Sequence, residues 1–251
     1  MGKTGSMRNN HQRGIAIGPI LCVVAILAVL ASAIAAGSGA FNGDTSTVRS
    51  KAIAVALLEY ADNVKMAVDR LLAKGCLETE ISFENDFVTY DGGYTNPNAP
   101  SDKSCHVFDP NGGGIVWKDP PQEVVYNDWN GRWEARTGDG NYSLRGLGTT
   151  QHDLSFWVRG VLYNPTEPAN AKGRVLLAAC HEINKMLGIE GGSGMGGLPG
   201  YPSNGPFWIR FKGVFVPAIS TYWAEPMILG KTTFCAAGPD DIQFIKVLIT
   251  R

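Results

Sequence analysis

Charged side chains are few in this chain and neither sign dominates: 22 Lys and Arg stand against 23 Asp and Glu over 251 residues, for a net charge of −1. No basic run occurs outside the N-terminal tip, so the electrostatic footprint of a nucleic-acid-binding surface is missing. The familiar catalytic signatures are missing as well. His181-Glu182 opens like a zinc-protease H-E-x-x-H, but Lys185 occupies the second ligand position. The glycine-rich run around Ser193 lacks the G-x-S-x-G frame because Met195 stands last. No P-loop or dinucleotide fingerprint is present. The four histidines (His11, His106, His152 and His181) are scattered, and no two cysteines lie at zinc-ligand spacing. These absences predict no cofactor, no metal and no catalytic residue. Asp109 and Asp119 read as turn residues.

What the chain does have is an uneven distribution of charge. From Ile15 to Gly43 there is no charged side chain, and the stretch Ile15–Ala36 is almost wholly apolar. At about 1.5 Å rise per residue, a helix of that length crosses a hydrocarbon layer of about 30 Å. Lys3, Arg8 and Arg13 precede it and Asp44 follows, which places the N-terminus in the cytoplasm and the rest outside. Three uses of the segment compete. A cleaved secretory signal has candidate sites at Ala31-Ser32-Ala33 and Ala33-Ile34-Ala35, although the apolar stretch is long for it. A plain signal anchor needs nothing more. The third use depends on the residues just before the helix.

A short basic leader ends in Arg13-Gly14, and the apolar helix begins at once with Ile15. This resembles the prepilin-type signal of type IV pilins and type II secretion pseudopilins. The resemblance covers roughly residues 7–41. It implies cleavage between Gly14 and Ile15 by a prepilin peptidase, and a helix that serves first as membrane anchor and then as filament core. It also implies other pilin-like subunits, inner-membrane assembly machinery and membrane lipid as partners. Most family members carry glutamate at the fifth mature position, where this chain has Pro19, and that departure points to a minor subunit. A buried carboxylate needs a compensating partner, and a subunit without one forgoes that pairing. The organisation implied is a cytoplasmic leader over 1–14, a transmembrane and filament-core helix with hinge over 15–43, and an extracytoplasmic domain over 44–251. The function implied is structural. The rival is a membrane-anchored or secreted extracytoplasmic enzyme or ligand-binding domain, which a deep polar pocket around His106, His152 or His181 would favour.

Beyond the break at Gly37-Ser38-Gly39, helical spacing of Ile53, Leu57, Ala61, Val64, Val68 and Leu71 predicts a helix over about 45–74, ended by Gly75. A second helix is expected over 170–187, stopped by Gly188. Strand candidates are Ile81–Tyr90, His106–Asp109 with Gly114–Lys118, Leu154–Leu162, Phe207–Val216 and Gln243–Thr250. Glu190–Pro206 reads as a flexible surface loop or linker. The fold class is therefore α+β: a long N-terminal helix on an antiparallel sheet, with one further helix, pilin-like in its order.

Cys22 lies inside the apolar helix, and the other four cysteines fall where disulfides persist. Four thiols permit three pairings, and sequence-local closure favours Cys76–Cys105 and Cys180–Cys235. Most tryptophans belong in the core. Trp129 and Trp133, set among Asn, Asp, Gly and Arg, are the two candidates for exposure and for contact with a surface, a sugar or another subunit.

Overall fold

A computed structural model of the chain describes residues 45–88, 93–125, 131–136, 142–144, 147–149, 152–161, 168–201, 210–215, 220–222, 225–238 and 241–251. Gly14, Ile15, the apolar segment 15–36, Trp129 and much of the strand expected over 207–216 lie outside the described residues. The chain divides into two units, Met1–Thr45 and Ser46–Arg251. The fold belongs to the second, whose first helix begins at the boundary. Among the described residues no helix is long and apolar enough to cross a membrane.

Helix α1 is Thr45–Ala73 and helix α2 is Pro168–Met186. Both end in the same way. After α1, the Cys76 N–H donates to Leu71 C=O and the Gly75 N–H to Leu72 C=O, with Gly75 at φ +101°. After α2, Ile189 donates to Asn184 and Gly188 to Lys185, with Gly188 at φ +65°. This paired closure satisfies the last carbonyls and needs a left-handed residue, which glycine supplies without strain. The two glycines that the sequence marks as helix stops are thus the stops.

Four strands form an antiparallel sheet in the order β1 (Trp133–Arg136), β3 (Leu154–Val161), β6 (Asp241–Ile249), β5 (Thr233–Ala237). A separate parallel pair joins β2 (Tyr142–Leu144) to β4 (Ser220–Tyr222). Strands β3 and β6 are buried along both faces, which is why their sequences run apolar without clean alternation. One face carries Trp133, Val158, Phe244 and Cys235, placed side by side by direct cross-strand pairing, with Phe156 two residues before Val158 on the same face of β3. Both helices pack on it. Tyr60 of α1 meets Trp133 and Phe156, with ring centroids 5.4 and 6.2 Å apart, and Asp62 pairs with Lys246 at 2.5 Å. On α2, Leu176 comes so near Gly160 that a Cβ there would sit 3.0 Å from its side chain.

The opposite face is more polar. Trp157, Phe234 and Ile245 are covered by Ile189, Tyr201 and Ile228 from the connecting loops. Glu134 and Arg136, on the same face of β1, form a buried ion pair, with Arg210 3.7 Å from Glu134.

Several expectations need correction. The described part of Ile81–Tyr90, residues 81–88, is not a strand. Ser82 alone bridges to His106, and Asn85 then turns the chain, its Oδ1 accepting from the Phe87 and Val88 N–H groups. His106–Asp109 and Gly114–Lys118 are likewise irregular. The described part of Glu190–Pro206 is not a linker: Leu198 and Tyr201 are buried, and Pro199 and Tyr201 hydrogen-bond with Ala237 at the sheet edge. In each case the local backbone is satisfied by turns or by an edge strand, which apolar periodicity does not register.

Candidate functional site

A groove of about 450 Å³ is built beyond the C-terminal end of α1. One wall is residues 84–87 and the other is 103–117. The walls are tied together at their base. Ser82 N–H donates to Cys105 C=O at 3.0 Å, and Val107 N–H donates back to Ser82 C=O at 2.9 Å. Cys76, just past α1, is disulfide-bonded to Cys105, one residue before His106.

The second wall folds because of Asp109-Pro110-Asn111-Gly112-Gly113-Gly114. Asp109 Oδ1 accepts from the Asn111 N–H, and Gly113 N–H donates to His106 C=O at 2.8 Å. A Cβ on Gly112 or Gly113 would lie 2.2 Å from His106 O or 2.4 Å from Val107 O, so the approach is open only to glycine. The last turns of α1 hold the loop from below: Arg70 donates to Gly113 C=O and Lys74 to Gly112 C=O. Asp109 thus does serve a turn.

Inside the groove, His106 is 6% exposed; its Nε2 lies 3.4 Å from Glu84 Oε2, and its buried Nδ1 has no hydrogen-bond partner. Lys103 sits 3.7 Å from Asp109. Asp86 is exposed at the rim beside Phe87. The apolar lining is aromatic: Phe108 meets Trp117 edge-on at 5.0 Å, and Phe87 lies nearly parallel to Trp117 at 6.5 Å. Phe87 is 61% exposed and Val116 74%. In the turn before Lys103, hydrogen bonds from the Ser104 hydroxyl and N–H hold the exposed Asp102 carboxyl below its usual range.

The groove's outer wall is fastened to α1 by Tyr60. Its hydroxyl accepts from the Lys118 N–H at 3.0 Å and donates to Val116 C=O at 3.3 Å. Burial pushes the Tyr60 hydroxyl above its usual range; the Lys118 N–H opposes this and the Asp119 carboxylate adds to it.

A second polar centre lies elsewhere. Glu225 accepts from both the hydroxyl and the N–H of Ser193. Burial pushes the Glu225 carboxyl up, but the Ser193 hydroxyl and the Ser193 and Gly200 N–H groups together hold it below its usual range. Both side chains are engaged in holding a loop. Among the described residues no group of three His, Cys, Asp or Glu side chains is arranged to hold a metal ion.

The structure joins Cys76 to Cys105 and Cys180 to Cys235, the pairing of nearest cysteines in sequence. Trp133 is a correction. It is 1% exposed and stacks on Phe156 at 4.7 Å with the rings 5° apart. Its polar sequence neighbours face the other side of a strand buried on both faces, so their polarity says nothing of the tryptophan. Asp86, Phe87 and Val116 are groove residues that the sequence did not single out. The one local signal was an apolar pair, Phe87-Val88, beside two acids in a segment that failed to alternate. No protein-family model matches the chain, and no curated protein or solved structure is significantly similar to it.

Proposed function

We propose that this chain is a minor pilin-like subunit of a membrane-associated filament or secretion pseudopilus, anchored by Ile15–Ala36. The observation that carries the reading is α1. It is a 29-residue helix, about 43 Å long, that starts just after the charge-free segment and lies on one face of an antiparallel sheet. An apolar helix leading into an amphipathic one, with a sheet packed on the second, is the order the prepilin-type signal implies. The outward face of α1 supports it further. Val48, Val55 and Met66 recur at helical spacing opposite the buried stripe and are 66%, 51% and 59% exposed. Side chains of that kind are what neighbouring subunits cover in an assembly. Two disulfides fit a domain held outside the cytoplasm.

On this reading the partners are other pilin-like subunits, a prepilin peptidase, the inner-membrane machinery and lipid, and the role is structural rather than enzymatic. N-terminal sequencing of the processed protein tests it. The expected first residue is Ile15. A terminus near Ile34 or Ala36 would make the segment a conventional secretory signal, and an intact leader would make it a plain anchor. The groove around His106 favours one second reading, a tethered ligand-binding domain, and the two are compatible in a subunit that displays a binding site.

A further inference from the structure

We propose that the groove between residues 84–87 and 103–117 binds an organic cation, an ammonium or guanidinium group carried on an apolar body. The case starts from what the groove can offer a ligand. Its charged lining is acidic on balance: Glu84, which keeps one oxygen clear of His106, and the exposed Asp86 face the groove, while Asp109 is taken up by the Asn111 N–H and by the one cation, Lys103, 3.7 Å away. The Asn85 amide is spent on the backbone, its Nδ2 on Phe83 C=O and its Oδ1 on two N–H groups. A sugar needs donors and acceptors together, and an anion needs donors; this lining serves a ligand that donates and is positive.

The apolar lining narrows the class. Phe87, Val116 and the aromatic pair Phe108 and Trp117 give the ligand's body a surface to cover, and the ring faces attract a cation. A second observation is the free ring nitrogen of His106. His106 lines the cavity while 6% exposed, with one ring nitrogen on Glu84 and the other without a partner. A structural core site normally satisfies such a group. The disulfide and the glycine loop tie down the backbone that carries this ring. The cation has two sources, a free small amine or a Lys or Arg side chain of another protein.

Titration calorimetry on the full chain in detergent separates these. The probes are phenethylammonium, its neutral isostere 2-phenylethanol, and the capped dipeptide N-acetyl-Phe-Lys-amide. The amine is expected to bind about tenfold more tightly than the alcohol. Asp86→Asn, at an exposed residue with no bond to the fold, is expected to remove most of that difference, and Phe87→Ala to weaken amine and alcohol alike. Tighter binding of the dipeptide than of the amine assigns the site to a protein side chain; the reverse assigns it to a free amine. Equal binding of amine and alcohol, an Asp86→Asn protein that keeps the full preference, or no binding of any probe at millimolar concentration overturns the proposal. None of these results depends on where the N-terminus is cut.

Discussion

Replacing Tyr60 by Phe tests how the groove wall is fastened to the rest of the domain. The substitution keeps the ring that packs on Trp133 and Phe156 and removes only the hydroxyl that bridges Lys118 N–H and Val116 C=O. Both partners lie near the surface, since Val116 is 74% exposed. Water therefore replaces part of what is lost, and the cost at neutral pH is about 1 kcal/mol rather than the full penalty of a buried orphan group. A larger effect appears at high pH with the opposite sign. In the unfolded chain the phenol ionises with its ordinary pKa of 10.0, whereas burial holds the folded hydroxyl protonated above that. The folded state then binds more protons than the unfolded state, so this group's contribution is complete below pH 10 and shrinks as the pH rises through the folded value. The slope approaches about 1.4 kcal/mol per pH unit.

The Tyr60→Phe variant has no such titration at this position, and the other tyrosines are common to both proteins. The parent's advantage of about 1 kcal/mol should therefore vanish between about pH 10.5 and 11, with the variant the more stable beyond that. Urea unfolding of the full chain in detergent, followed by tryptophan fluorescence at closely spaced pH values, measures the crossing. Stability curves that stay parallel from neutral pH to 11 would refute the argument, because they would mean that the hydroxyl ionises as freely folded as unfolded.

Removing Cys180–Cys235 with paired alanines should cost about 4.2 kcal/mol, and removing Cys76–Cys105 about 3.6, from closure of loops separated by 55 and 29 residues. Urea midpoints in the reverse order would point to packing around the sulfurs as the larger factor. Gly113→Ala forces a methyl against Val107 O and should destabilise by about 2 kcal/mol or more while opening the groove; hydrogen exchange at Val107 and Ile115 reads the opening. Trp133→Ala should cost about 3–5 kcal/mol in urea unfolding, as a core residue does, where an exposed contact residue would cost almost nothing.

The sequence and the fold agree where a single physical rule decides the outcome. The α1 stripe from Ile53 to Leu71 has one apolar side, so its period shows directly, and Gly75 and Gly188 stop their helices because few other residues adopt the required φ. Strands β3 and β6 are legible by length and branching even though both faces are buried. The groove is a different case. His106, Asp86 and Phe87 come together only because Ser82 bridges to His106 and Cys76 is tied to Cys105, contacts that join residues 24 and 29 apart in sequence. No local period encodes such a meeting. Trp133 fails for a related reason: Glu134 and Arg136 are polar and buried, since the Glu134 carboxylate pairs with both Arg136 and Arg210 on the far face of the sheet. A polar neighbourhood in sequence marks the surface only when the charges have nowhere else to go, and here the fold supplies a partner. The glycine run at 112–114 is the most informative local signal: after an Asx turn, Gly112 and Gly113 mark a place where one backbone must press against another, and Gly114 supplies a left-handed φ of +69°. In this domain that backbone is the one carrying His106.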